Sequence, residues 1–314
     1  KGGSDMTETQ RVAMLAPPKG IVHVVIDTDP YNEVDDQFAI AYLAGYADRV
    51  CLEAVYAAPF LNEKVTSPKE GMRRSYEEAC RILDFLPPAE ERRILRGAEA
   101  FLPDDHTPVP SEAAEDLIRR AALHSPEDPL YVIGIAAATD IASAILLQSD
   151  IMDRIVVIWL GGSALHRAGE AEFNMMEDYP AARILLNSGV PLVLVPCWGL
   201  AEHFTVSRPE LEEYLVGKSP LADYLAGIVI RETESYTTVP RWSKTIWDVV
   251  AAAWLLDRTG HMTHSQLIPA PVPQLDGSYA FAGGRHLIRY VDRVDRDLLL
   301  NDLFDTILKG GKDV

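Results

Sequence analysis

The chain has 314 residues, 48% of them hydrophobic, enough to bury a large core, and residues 1–314 are expected to form a single α/β domain. Lys and Arg total 29 against 47 Asp and Glu, a formal charge of −18 that opposes gripping phosphate backbones and so excludes nucleic acid as an expected partner. No apolar stretch reaches the roughly 18 to 20 residues that span a bilayer, and no charged-then-apolar leader opens the chain, so no membrane partner and a cytoplasmic location are expected.

Residues 1–15, opening Lys1-Gly2-Gly3-Ser4-Asp5 before Met6, are expected to be a disordered end or an expression remnant outside the fold. Apolar runs of strand length follow at 21–26, 51–57, 130–135, 155–160 and 191–196. Amphipathic helical patterns lie between them at about 36–46, 69–86, 111–124, 139–148 and 178–188. Runs such as Ile155-Val156-Val157-Ile158 are apolar on consecutive positions, as in parallel strands covered on both faces by helices. In such a sheet ligands bind beyond the carboxyl ends of the strands. The polar segments 27–36, 59–64, 136–140 and 161–174 each follow a predicted strand. Beyond residue 200 the pattern turns helical at 208–216, 219–236 and 246–257, and a hairpin is predicted around Asp276-Gly277. Cys51, Cys80 and Cys197 are odd in number and widely spaced, which fits reduced, buried small hydrophobes.

The segment Asp27-Thr28-Asp29-Pro30-Tyr31-Asn32-Glu33-Val34-Asp35-Asp36 places five acids in ten residues at the end of an apolar strand. Carboxylates crowded there repel one another and lose hydration, so they call for protonation or a hard divalent ion, and oxygen-only ligands favour Ca²⁺ or Mg²⁺ over zinc. Helix capping needs fewer acids than this. An EF-hand loop counted from Asp27 would want Gly where Asn32 stands and Glu where Phe38 stands. A haloacid dehalogenase-type phosphatase also begins strand-Asp-x-Asp with a nucleophilic first Asp, but Tyr31 and the Asp35-Asp36 doublet do not suit it.

The strand, the Asp-x-Asp-Pro loop and the Asp-Asp doublet, with Glu172-Phe173-Asn174 downstream and Asp248 opening a late helix, resemble the inosine-uridine-preferring nucleoside hydrolase family over about residues 21–257. The resemblance implies one domain with a mainly parallel sheet flanked by helices on a Rossmann-like core. It implies a Ca²⁺ cofactor held by Asp29, Asp36, Asp248 and the backbone carbonyl of Ile135, with Asp27 in support. It also assigns Asp35, Glu172 and Asn174 to the ribose hydroxyls. Five residues separate Asp29 from Asp35 where the family commonly has three, and Ala58-Pro59-Phe60-Leu61-Asn62 replaces a Gly-Asn pair, leaving Asn62 as the candidate sugar contact. Many members carry His before the late Asp to protonate the leaving base; here Trp247 holds that place, and stacking by Trp247, or help from Trp242, Tyr236, Arg241, Lys244 or His166, stands as the alternative.

The implied activity is Ca²⁺-dependent hydrolysis of the N-glycosidic bond of a ribonucleoside to free base and ribose, with a metal-bound water activated by Asp29. The implied setting is nucleotide salvage, with a nucleoside as the small-molecule substrate and a homodimer or homotetramer as the assembly. A metal- and ribose-binding module without hydrolytic activity is the competing reading, and the phosphatase is a third.

Overall fold

The computed structural model describes residues 6–89, 92–167 and 169–311. In chain order it runs α1 (Glu8–Met14), β1 (Val22–Thr28), α2 (Asp36–Gly45), β2 (Val50–Ala57), α3 (Pro68–Phe85), β3 (Arg93–Arg96), α4 (Glu112–Ala121) and β4 (Leu130–Gly134). Next come α5 (Thr139–Leu147), β5 (Ile155–Leu160), α6 (Phe173–Glu177), α7 (Tyr179–Ser188), β6 (Leu192–Val195), β7 (Thr205–Ser207), α8 (Arg208–Tyr214) and α9 (Pro220–Tyr236). The chain closes with β8 (Ser243–Thr245), α10 (Val249–Leu256), β9 (Thr263–Pro269), β10 (Val272–Pro273), β11 (Tyr279–Ala280), β12 (Leu287–Val294) and α11 (Arg296–Gly310).

Eight strands form one sheet in the order β3-β2-β1-β4-β5-β6-β12-β9, parallel except for the β12–β9 pair at one edge. Alternate residues of the central strands feed two apolar cores, one on each face: Val24, Ile26 and Ile133 on one side, Val25, Val132 and Trp159 on the other. The predicted single α/β domain with a mainly parallel sheet flanked by helices is thus the observed architecture. The hairpin forms where predicted, β10 pairing with β11 through a turn in which Gly277 adopts φ 79°. Among the described residues no helix is long and apolar enough to cross a membrane.

Sheet order reverses direction between β1 and β4, since from β1 the chain runs outward to β2 and β3 and then returns to β4 on the other side of β1. The loops leaving these two strands part to opposite faces and open a crevice above their carboxyl ends. That crevice begins at Asp29 on one side and Ile135 on the other, so topology alone puts the acidic loop and the expected carbonyl ligand together.

One expectation is corrected here. Residues 1–5 lie outside the described residues, but 6–15 belong to the fold. Thr7 caps α1 with a reciprocal Gln10 bond, Met14 and Leu15 are buried, and Arg11 Nε donates to Gly189 O at 2.8 Å. The N-terminal helix therefore closes over the β6 side of the sheet.

Helix α3 packs against the loop after β2 so tightly that a methyl group on Gly71 would fall 2.1 Å from Phe60 O. Backbone cannot yield there, so Gly71→Ala should cost about 1–3 kcal/mol, read as a lowered midpoint in denaturant unfolding. An unchanged midpoint would show that the loop carrying Asn62 is not held by this contact.

Candidate active site

Strand β1 is buried throughout its second half, with Asp27, Thr28 and, just past its end, Asp29 at 1%, 0% and 2% exposure, and of these Asp29 lines the crevice. The extra residues after Asp29 are absorbed by a turn closed by Asn32 N donating to Asp29 O at 2.7 Å. The doublet stays beside the end of β1. Asp36 still reaches back: its Oδ1 accepts from Asp29 N at 3.0 Å and from the Thr28 hydroxyl. Asp35 and Asp248 occupy the N-cap positions of α2 and α10, yet neither side chain caps its helix. Both turn into the crevice instead. Asp248 N donates to Asp35 Oδ2 at 3.4 Å.

Oxygens of Asp35, Asp36 and Asp248 lie within 4.8 Å of one another, all three residues buried. Asp29 lies beside this trio, close enough that it and Asp36 repel, with Oδ2 accepting from Asn32 Nδ2 at 3.0 Å. Asp35, expected at the sugar, therefore stands within reach of the same point as Asp36 and Asp248, while Asp29 is turned to Asn32. Burial, then mutual repulsion, pushes Asp29, Asp35 and Asp248 well above the usual carboxylate range; burial pushes Asp36 up to about 6 against hydrogen bonds from Thr28 and Asp248. Asp35 Oδ1 is buried with no partner among the described residues. Four crowded acids with an orphaned oxygen form a donor set that fits a hard divalent cation.

These groups floor a cavity of about 430 Å³ whose wall includes Asn62, Ile135, Glu172, Asn174, Trp198, Lys244 and Trp247. The Ile135 carbonyl accepts from Asn174 Nδ2 at 3.3 Å, which also donates to Leu160 O at 3.0 Å. Glu172 is engaged by backbone: its carboxylate accepts from Gly162, Asn174 and Met175 N–H groups at 2.6, 2.9 and 2.9 Å. Asn62 Nδ2 donates to Asn32 Oδ1 at 2.8 Å, making a chain Asn62–Asn32–Asp29. Asp27 points elsewhere, both its oxygens buried without a described partner and its charge opposed by Asp140.

Trp247 meets Trp198 edge to face, with ring centroids 5.1 Å apart, and Trp198 is 37% exposed at the cavity mouth. Tyr236 lines the same cavity, as does Lys244, which pairs with Glu33. Trp242 is instead 8% exposed in the hydrophobic core, and Arg241 and His166 do not line the cavity. Thr139 and Asp140 open α5, which has no side-chain cap bond. Thr139 donates to Asp178, and Asp140 accepts from Ala98 N and the Ser111 hydroxyl, fastening the loop after β3 beneath the site. Asn32, Trp198 and Cys197 were not singled out for the site from the sequence; of these, Asn32 alone had a local signal, in the loop insertion.

A family profile described as inosine-uridine preferring nucleoside hydrolase matches residues 24–297. No curated protein sequence matches the chain. Among solved structures, the purine-preferring ribonucleoside hydrolase from Gardnerella vaginalis is similar at 20% identity and TM-score 0.72, covering 92% of this chain and 98% of that one. A plant nucleoside hydrolase is similar at 18% identity and TM-score 0.71, covering 93% and 99%. The inosine-uridine preferring nucleoside hydrolase from Bacillus anthracis is similar at 18% identity and TM-score 0.65, covering 92% and 100%.

Proposed function

Because the chain belongs to the inosine-uridine preferring nucleoside hydrolase family, and is by that membership an N-glycosyl hydrolase, we propose that its carboxylate-floored cavity cleaves ribonucleosides to free base and ribose with Ca²⁺ as cofactor. The observation that carries this reading is the convergence of Asp35, Asp36 and Asp248 on one buried point beside Asp29. The strand-Asp-x-Asp phosphatase is set aside, because the family match spans residues 24–297.

Asp36, Asp248, Asp29 and the Ile135 carbonyl are the groups proposed to hold the ion. A bound Ca²⁺ would neutralise the acids, anchor ribose hydroxyls and make a water easier to deprotonate. Asp29 is the base proposed to take that water's proton as the water attacks the anomeric carbon. Asn32 fixes which Asp29 oxygen remains free, since it already donates to Oδ2. Asp35 offers its unpartnered Oδ1 to ribose, and Asn174 its side-chain carbonyl, the amide being committed to Ile135 and Leu160. Glu172 spends three of about four acceptor sites on backbone N–H groups, so at most one sugar hydroxyl is left to it. Asn62 reaches the sugar side through Asn32.

As the C–N bond breaks, positive charge grows on ribose and electron density on the base. The carboxylates answer the first charge. For the second, Trp198 and Trp247 supply an aromatic wall on which a departing purine stacks; no imidazole stands at that wall among the described residues lining the cavity.

A reducing-sugar assay over purine and pyrimidine nucleosides tests the reading. Ribose release from at least one nucleoside is expected, abolished by chelator and restored by Ca²⁺. Trp198→Ala should lower kcat/KM for purine nucleosides about 3–10-fold, the worth of an aromatic pair. Nucleoside binding heat without released ribose would replace the enzyme with a binding module.

A further inference from the structure

A second set of metal donors lies at the opposite end of the sheet. His23 is the second residue of β1, about 20 Å along the strand direction from Asp29 at roughly 3.3 Å per residue. It faces Cys51 of β2 in parallel register. One residue further on, the register breaks: Val24 pairs with Leu52 but Val25 pairs with Ala54, leaving Glu53 as a bulged extra residue. Leu52 enters one core and Ala54 the other, so the inserted Glu53 lies where the strand changes faces. His23 Nδ1 stands 2.6 Å from Glu53 Oε1, and one donor atom each of His23, Cys51 and Glu53 lies within 4.8 Å of the others.

Arg120 grips Glu53 Oε2 at 2.6 Å and is itself held by Asp116, which fixes the carboxylate with Oε1 directed at His23. His124, in the turn after α4, lies with its ring 5.2 Å from the His23 ring, and its Nδ1 is within 3.0 Å of Asp128 O. That contact leaves Nε2 as the free nitrogen, the arrangement in which a backbone carbonyl orients a metal-binding imidazole. Donors on a tetrahedral zinc at about 2.0–2.3 Å sit roughly 3.3–3.7 Å from one another, and the donor atoms of His23, Cys51 and Glu53 already lie within 4.8 Å. The His23 side chain is 38% exposed, which gives an ion a way in.

We propose that His23, Cys51 and Glu53 form a structural site for a borderline-soft divalent ion of the zinc class, with His124, which now lies outside their 4.8 Å grouping, turning in as fourth donor by rotation of its side chain. The nitrogen, sulfur and oxygen donor set separates it from the all-oxygen cavity, so the two sites select different ions. It ties β1, β2 and the α4–β4 turn at the end of the sheet remote from the chemistry, and it does not depend on the function proposed above.

Co²⁺ titrated into the full chain in excess Ca²⁺ tests it. One equivalent should bind with thiolate-to-cobalt charge-transfer absorption and the intense visible bands of tetrahedral cobalt, and Zn²⁺ should displace it. Cys51→Ser should remove the charge-transfer band, His23→Ala should weaken binding at least about 10-fold, and Cys197→Ser and Cys80→Ser should leave the band intact. Circular dichroism of each variant separates lost binding from lost folding. A wild-type titration with no thiolate band, or a band that survives Cys51→Ser, overturns the assignment.

Discussion

Asp29→Asn should lower kcat on a cleaved nucleoside by about 10²–10⁴-fold and weaken Ca²⁺ binding, while raising the melting temperature of the metal-free protein. The rate loss follows from the role proposed for the carboxylate, since a positioned base contributes about 10²–10⁴-fold and an amide cannot accept the proton. The stability gain has a separate cause. Asp29 is 2% exposed and repelled by Asp36, Glu177 and Asp35, and removing one of several buried like charges relieves the rest. Asparagine keeps the shape and still offers an oxygen to Asn32 Nδ2. Opposite movement of rate and metal-free stability is a signature that misfolding cannot produce. Steady-state kinetics, calorimetric Ca²⁺ titration and thermal melts in chelator are the three measurements. Turnover at the parental rate would remove Asp29 from the chemistry.

The parts of this molecule that could be read from its sequence are those where one physical demand dominates. Ile155–Leu160 and Leu192–Val195 are buried on both faces, so their apolar runs signal parallel strands unaided. Asp27 to Asp36 packs more charge at a strand end than a solvated turn requires, and the cavity lies there. Strands β3, β9 and β12 went unpredicted because their signal is diluted at or beside a sheet edge: Arg93–Arg96 is exposed at both ends, and Leu287–Val294, one strand in, carries Arg289, Asp292 and Arg293 between its buried residues. Helix α1 is short, and its burial against Gly189 and β12 is a long-range fact with little local trace. Within the site, Trp198 follows a strand in ordinary loop sequence, and only the approach of α10 brings Trp247 against it. The bulge that places Glu53 beside His23 and Cys51 is likewise a property of strand pairing, which no single strand's sequence discloses.

Removing divalent ions should make the protein less stable as pH rises, and Ca²⁺ should reverse that loss only above about pH 6. Asp36 and Asp140 are pushed up to about 6 from 3.8, mainly by burial, and Asp27, Asp29, Asp35 and Asp248 are pushed well above their ordinary value by burial and neighbouring acids. A raised folded-state value means that the native protein binds more protons than the unfolded chain between the two values, so its stability falls as pH climbs through that window. For Asp36 and Asp140 the fall runs from near pH 4 to just above 6; for the other four it continues upward. A cation held by Asp29, Asp36 and Asp248 replaces those protons, so its benefit is small when the acids are protonated and full when they are ionised. At free Ca²⁺ about 100 times its dissociation constant the gain is about 2.7 kcal/mol, or about 5 °C in melting temperature for a chain of this size. The Asp27–Asp140 pair lies outside the ion's reach and keeps its cost, so Ca²⁺ should not flatten the curve completely. Melting curves from pH 4.5 to 8 with chelator, Ca²⁺ or Mg²⁺ measure all of this and rank the two ions. A metal-free melting temperature that is flat with pH, together with no shift on adding Ca²⁺ at pH 7.5, would mean that Asp29, Asp36 and Asp248 do not share a cation.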